Sequence, residues 1–279
     1  MKSILVHIDA SPRAAERVKL ALSLARRHGA ELAAYYGVLP AMVSMPWAAA
    51  ETLDANVGKL IDETDRRRRE RAHALVERLA GDVPVRWIDG DEQGGGRMPW
   101  HLARTALTSD LLVLGQFDAD DREAGAVPPD LVTTATVDAG KPTLVVPCAG
   151  AFDAAPASIL IAWKPTRESA RAAAAALPWL KAAREVHVAV GDEDGAPPSV
   201  GPLEHWLRLH GVGGTIERHG MPANVDITIG EALLSLAADV SAGLLAMGCY
   251  GNSRAREWVL GGVTRTILRS MTVPTLMAH

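Results

Sequence analysis

Short apolar runs recur along the chain, and between them lie longer stretches whose apolar positions return every three or four residues. In the first half the runs are ILVHI (4–8), ELAAYYGVL (31–39), VPVRWID (83–89), LLVLG (111–115) and TLVVP (143–147). In the second half they are ILIAW (159–163), EVHVAV (185–190), GTIERH (214–219), LLAMG (244–248) and PTLMAH (274–279). Unbroken apolar runs suit strands buried on both faces, which predicts parallel sheets. The intervening stretches predict helices. SPRAAERVKLALSLARRHG opens at Ser11, the expected N-cap, and stops at Gly29, the expected C-cap. TRESARAAAAALPWLKAA is its counterpart further on, and a longer helix is expected over roughly Glu51 to Leu79.

The two halves correspond strand for strand. ILVHIDAS matches ILIAWKPT, SDLLVLG matches AGLLAMG, and GKPTLVVP matches MTVPTLMA. This is a tandem duplication of a five-strand α/β unit. The boundary falls near CAGAFDAAPA (148–157), a small-residue and proline stretch typical of a linker. Right-handed crossovers place helices on both faces of such a sheet, and ligands collect beyond the carboxyl ends of the strands.

At that edge, after the ninth run, four glycines follow in the pattern Gly-x2-Gly-x9-Gly-Gly: Gly248, Gly251, Gly261 and Gly262, then Val263 and Thr264. Glycines at a strand end and a helix start let backbone N–H groups converge on an anion, and the helix dipole adds positive character there. Thr264 offers a hydroxyl. The reading is a triphosphate cradle built mostly of backbone. The alternative is a tight turn followed by a helix cap.

Composition narrows the field. The chain has 279 residues, enough for two domains, and 48% of them are hydrophobic, so a core is easily built. A net charge of −4 does not suit a nucleic-acid-binding protein, whose footprint is usually basic. No apolar run is long enough to span a bilayer, and MKSILVHIDASP lacks a secretory h-region, so a cytoplasmic setting is expected. Cys148 and Cys249 form no metal motif. His205 and His210 are five apart and do not share a helical face. No recognisable ligand spacing appears among the nine histidines, so no structural metal is expected. DETDRRRRERAH (62–73) reads as a solvated, salt-bridged helix face. DEQGGGRMP (91–99) reads as a loop.

The glycine spacing after an LLAMG strand, with the opening ILVHIDASPRAAERVKLAL, resembles the universal stress protein family. The resemblance runs over essentially the whole chain as two tandem copies. It implies an α/β fold of two Rossmann-like domains of the adenine nucleotide alpha hydrolase-like type, residues 1–150 and 151–279. Each would be a five-stranded parallel sheet of order 3-2-1-4-5. It implies a stress-response regulator rather than an enzyme of established turnover, and a family in which some members bind ATP and others do not. It also implies that the two fifth strands, PTLVVP and PTLMAH, pair in an internal pseudo-dimer, with chains dimerising again.

In that family the ATP site takes an Asp from the end of strand one, the glycine loop, and a hydroxyl at the next helix. The first repeat keeps Asp9 but has QFDADDREAGAVPPDLVTT for the loop, with Asp118 in place of the second glycine, so no triphosphate is expected there. A solvated acidic loop is expected instead. The second repeat keeps the loop, but Lys164 stands opposite Asp9 and Gly262 replaces a Ser/Thr. Two readings of Lys164 remain: solvation at a strand end, or contact with the ribose or base end of the ligand. The expected ATP site therefore lies in the second repeat. The adenine end would rest against Ala162, Trp163 and the seventh run near Val190, and the phosphates would lie over Gly248, Gly251, Gly261, Gly262, Val263 and Thr264; Lys164, Met247 and the charge of Arg254 complete the expected site residues. Any magnesium would be held mainly by phosphate oxygens and water. The competing expectation is an interaction protein of the same fold with both sites eroded. Cys249, between two loop glycines, is either a passive small residue or a thiol activated by surrounding N–H groups.

Overall fold

The computed structural model describes residues 1–44, 55–90, 98–121, 126–191, 199–221, 228–250 and 262–279. All ten apolar runs form strands, and the chain divides into two compact units, Met1–Ala139 and Gly140–His279.

In the first unit the strands are β1 (Ser3–Ile8), β2 (Glu31–Tyr36), β3 (Val85–Asp89) and β4 (Leu111–Gly115). They lie in the order β3-β2-β1-β4, with β1 parallel to both β2 and β4 and β2 parallel to β3. The helices are α1 (Ala14–His28), α2 (Ala55–Ala80), α3 (Met98–Ala106) and α4 (Leu131–Ala139). Ile4, Leu5, Val6 and Ile8 are all buried, as both-face coverage requires. The edge strand β3 mixes exposed and half-buried residues and has none fully buried.

Gly29 caps α1 as expected: its φ of 55° is left-handed, and its N–H reaches back to Ala25 and Arg26. Ser11 does not cap it. The helix begins at Ala14 after Arg13, without a side-chain cap. The Ser11 hydroxyl and amide turn to the Asp9 carboxylate instead, at 2.5 and 2.9 Å from Oδ1. A carboxylate two residues upstream outcompetes the helix for that hydroxyl. On α2 the arginines are matched along the helix, Arg67 to Glu63 at 2.6 Å and Arg68 to Asp65 at 3.4 Å. Arg69 crosses to Asp89 on β3. The basic run is thus a salt-bridged face.

In the second unit β5 (Thr143–Val146), β6 (Ser158–Trp163), β7 (Glu185–Gly191), β8 (Thr215–Met221), β9 (Leu244–Gly248) and β10 (Thr275–Ala278) lie in the order β5-β10-β9-β6-β7-β8. The second repeat thus has the full 3-2-1-4-5 arrangement, all parallel. The two fifth strands meet as expected: β5 runs antiparallel to β10, with Leu276 opposite Leu144. Thr143 and Thr275, facing apolar neighbours, are wholly buried, and each returns its hydroxyl to a nearby carbonyl. The helices are α5 (Arg167–Leu180), α6 (Gly201–Leu209), α7 (Ile229–Asp239) and α8 (Gly262–Ser270).

Two helix starts in this unit are held by side chains. The Thr166 hydroxyl accepts from the Ser169 amide at the head of α5. Thr228 and Glu231 form a reciprocal capping box at the head of α7. Gly230 lets α7 lie close on α8, since a Cβ there would meet the Thr266 Cβ at 2.7 Å.

Candidate functional site

The carboxyl end of β1 carries the first of the two corresponding sites, and the protein's own side chains fill it. Arg17 on α1 reaches across to Asp9, with Nη2 2.8 Å from Oδ2 and both side chains buried. Gly115, the end of β4, makes room for that guanidinium: a Cβ there would collide with Arg17 Nη1. Arg13 pairs with Asp118 at 2.8 Å over the top. What remains is a recess of about 40 Å³, lined by His7, Asp9, Ser11 and Arg17 among others. Burial acts to raise the Asp9 pKa, but the Arg17 and His7 charges and the Ser11 hydrogen bond prevail and hold it down at about 2. His7 Nε2 donates to the Gly37 carbonyl at 2.7 Å, while Nδ1 is buried without a partner. Burial, then the Arg17 charge, lower its pKa to about 4, so the ring is neutral near pH 7.

Asp118 departs from expectation. It is not simply a solvated acid, because it is ion-paired with Arg13 and accepts from the Asp120 amide at 3.0 Å. The other repeat is built differently. Counting from the matched Ser11 and Thr166, buried Ala172 stands where Arg17 stands, and exposed Lys164 where Asp9 stands.

At the second site the strand ends of β6, β7 and β9 converge. Trp163 lies opposite Val190, and Ala162 opposite both Ala189 and Met247. Ala162 and Trp163 are half-buried, whereas their counterparts His7 and Ile8 are fully covered. Val190 and Met247 belong to the core, at 0% and 3% exposure. Lys164 is exposed, and its amide donates to the Ser169 hydroxyl at 3.4 Å.

Gly248 has a packing role. A Cβ there would lie 2.6 Å from the Ser169 amide nitrogen and 2.7 Å from the Glu168 carbonyl carbon, so α5 can approach β9 only because position 248 lacks a side chain. Gly262 differs: among the described residues, its Cβ would meet nothing within 4 Å. Gly262, Val263 and Thr264 form the first turn of α8, with Thr264 buried at 4% exposure. Their amides are the ones a helix start leaves without intrahelical partners. Gly251, Arg254 and Gly261 lie outside the described residues.

Cys249 follows Gly248 and is buried, with its amide bound to the Ala278 carbonyl at 2.9 Å. Burial, reinforced by the Glu168 charge, pushes its thiol pKa up to about 12. Burial thus favours the passive small residue over the activated thiol, since desolvation disfavours a thiolate. Glu168 is itself buried in the first turn of α5. Burial works to raise its pKa, but the bonds to Arg167 and to backbone and side-chain donors lower it. Sequence reasoning missed Arg17 and Glu168. Both sit at helix positions where a charge is ordinarily solvated, and only the packing of helix on strand end reveals their burial.

A parallel α/β sheet with converging strand ends, a glycine-terminated fourth strand and a helix starting just beyond it defines a duplicated Rossmann-like protein. No family model matches the chain. A universal stress protein of Synechocystis sp. is 34% identical over 64 residues, 22% of this chain and 22% of that protein's length. A universal stress protein from Archaeoglobus fulgidus superimposes over 99% of this chain and 95% of its own, with TM-score 0.67 and 15% identity. A protein of unknown function from Pseudomonas aeruginosa superimposes over 99% of this chain and 92% of its own, with TM-score 0.55 and 15% identity. The chain thus has the universal stress protein fold and resembles that family in its tandem form. Among the described residues no helix is long and apolar enough to cross a membrane.

Proposed function

We propose that the chain is a cytoplasmic stress-response regulator that binds ATP in its second repeat and none in its first. One observation carries this reading: the two strand-end sites are built oppositely. In the first, the Asp9–Arg17 pair occupies the space below Gly115 and Arg13–Asp118 lies above it. In the second, Ala172 and Lys164 replace that pair, Ala162 and Trp163 keep exposed surface, and no described residue crowds the backbone at Gly262.

The residues present fit a nucleotide in outline. Trp163 and Ala162 offer an apolar rest for the base. Gly262, Val263 and Thr264 offer helix-start amides to an anion, with the dipole of α8 behind them. Arg265, exposed in the same turn, adds positive charge. ATP would supply the triphosphate charge and the purine that distinguish the liganded from the free protein. The role is binding, with no general base assigned.

A second reading, an interaction protein without nucleotide, has Gly248 in its favour, since the packing of α5 already accounts for that glycine. Calorimetric titration of the full chain with ATP separates the two. Saturable binding that weakens in Gly262→Val and is indifferent to Asp118→Asn is expected. No heat at millimolar ATP, and no nucleotide carried through purification, would favour the second reading.

A further inference from the structure

We propose that His187, Glu217 and His219 form a binding site for a divalent transition-metal ion of the zinc type, on the outer strand pair of the second unit. The three converge through strand register. His187 on β7 lies opposite Glu217 on the edge strand β8, and His219 is two residues further along β8. Partners in a parallel pair share a face, and so do residues two apart, so all three side chains project together. His187 Nδ1 is 3.0 Å from His219 Nε2 and 3.6 Å from Glu217 Oε2, and the three donor atoms lie within 4.8 Å of one another. Ligands about 2.0–2.2 Å from a tetrahedral zinc ion are themselves roughly 3.3–3.5 Å apart. The side chain of Glu217 is 56% exposed and free to swing the remaining distance.

Burial leaves His187 only half satisfied, since Nδ1 shares a hydrogen bond with His219 Nε2. Its neighbours Val186, Val188 and Val190 are apolar core, while His187 is 5% exposed with Nε2 lacking any hydrogen-bond partner. A metal at Nδ1 places the ring proton on Nε2. That nitrogen looks toward Glu185 Oε2 at 3.9 Å, the outer carboxylate that commonly orients a ligating histidine. Two imidazoles and one carboxylate suit zinc-like ions rather than calcium or magnesium, which prefer all-oxygen sets. Three protein ligands leave a fourth position for water. Occupancy would tie the edge strand β8 to β7. The histidines stand 32 residues apart in sequence, so no linear spacing betrays them.

The alternative is that Glu217, Arg218 and His219 only keep a sheet edge charged against unwanted pairing. The full chain, stripped with chelator, is titrated with Co²⁺ and then Zn²⁺. One equivalent of Co²⁺ with the d–d absorption of a four-coordinate ion is expected, displaced by Zn²⁺. Zn²⁺ affinity should fall at least ~10-fold in His219→Ala and in Glu217→Gln, by comparison with the losses seen when ligand shells are damaged. His205→Ala, on exposed α6, should bind like the native chain. His219 and Glu217 are not buried, so both variants should fold, which circular dichroism checks. Absence of saturable uptake by the native chain, or unchanged affinity in His219→Ala, overturns the proposal.

Discussion

Arg17 Nη2 sits 2.8 Å from Asp9 Oδ2 where α1 crosses the end of β1, and the two charges are buried together. Such a pair contributes little beyond a well-packed apolar pair, but breaking it is expensive because one charge is left alone. Asp9→Asn should therefore cost about 3–5 kcal/mol in urea unfolding. The double variant Asp9→Leu/Arg17→Met should recover much of that. If the single variant unfolds like the native chain, the pair is not the closure described for the first site.

The same cluster predicts an acid-sensitive fold. The His7 pKa falls from 6.5 unfolded to about 4 folded. Above pH 6.5 the ring is neutral in both states and contributes no pH dependence. As pH drops below 6.5 the unfolded chain takes up a proton that the folded one refuses, so stability is lost progressively until pH reaches about 4. The loss amounts to about 3 kcal/mol. Asp9, lowered from 3.8 to about 2, adds a further loss only below pH 3.8, as its stabilising charge is neutralised. Urea midpoints at pH 7 and pH 4.5 should differ clearly in the native chain and by less in His7→Gln.

Gly248 and Gly262 belong to one sequence pattern but do different work. Gly248→Ala drives a Cβ to 2.6 Å from the Ser169 amide nitrogen, against backbone that cannot rotate away. Overpacking of this kind costs about 1–3 kcal/mol. Gly262→Ala meets no described residue within 4 Å in the first turn of a helix and should leave stability unchanged or slightly raised. Thermal unfolding of the two variants gives the contrast directly. A Gly248→Ala chain as stable as the native one would show that α5 does not depend on the missing side chain.

The strands were legible because both-face burial writes itself as continuous apolar runs, and duplication allowed each half to check the other. Helix ends were less so. Gly29 is legible because only glycine takes the left-handed turn cheaply, whereas Ser11 is not, because Asp9 competes for its hydroxyl. The site was legible as a place and not as a set of contacts. Its strand ends are dictated by topology, yet whether Gly248 faces a ligand or a helix depends on how closely α5 packs on β9, which no spacing encodes. The His187–His219 meeting was invisible for a related reason: register between β7 and β8 is a property of the sheet, not of either segment.

Cysteine reactivity provides the last test. Cys249 lies between the strand end of β9 and the glycine pattern, where a thiolate would face burial on all sides and the charge of Glu168. With its pKa pushed up to about 12, only a minute fraction is ionised at pH 8, and access is blocked as well. Cys148, just after β5, is half-buried. A chromogenic disulfide reagent at pH 8 should therefore modify one thiol per native chain, and Cys148→Ser should abolish that phase. The second thiol should react only in denaturant. Glu168→Gln removes the adjacent charge but not the burial, so it should leave Cys249 slow. Rapid modification of Cys249 in the native chain, or its acceleration in Glu168→Gln to the rate of Cys148, would mean that electrostatics rather than desolvation governs this thiol.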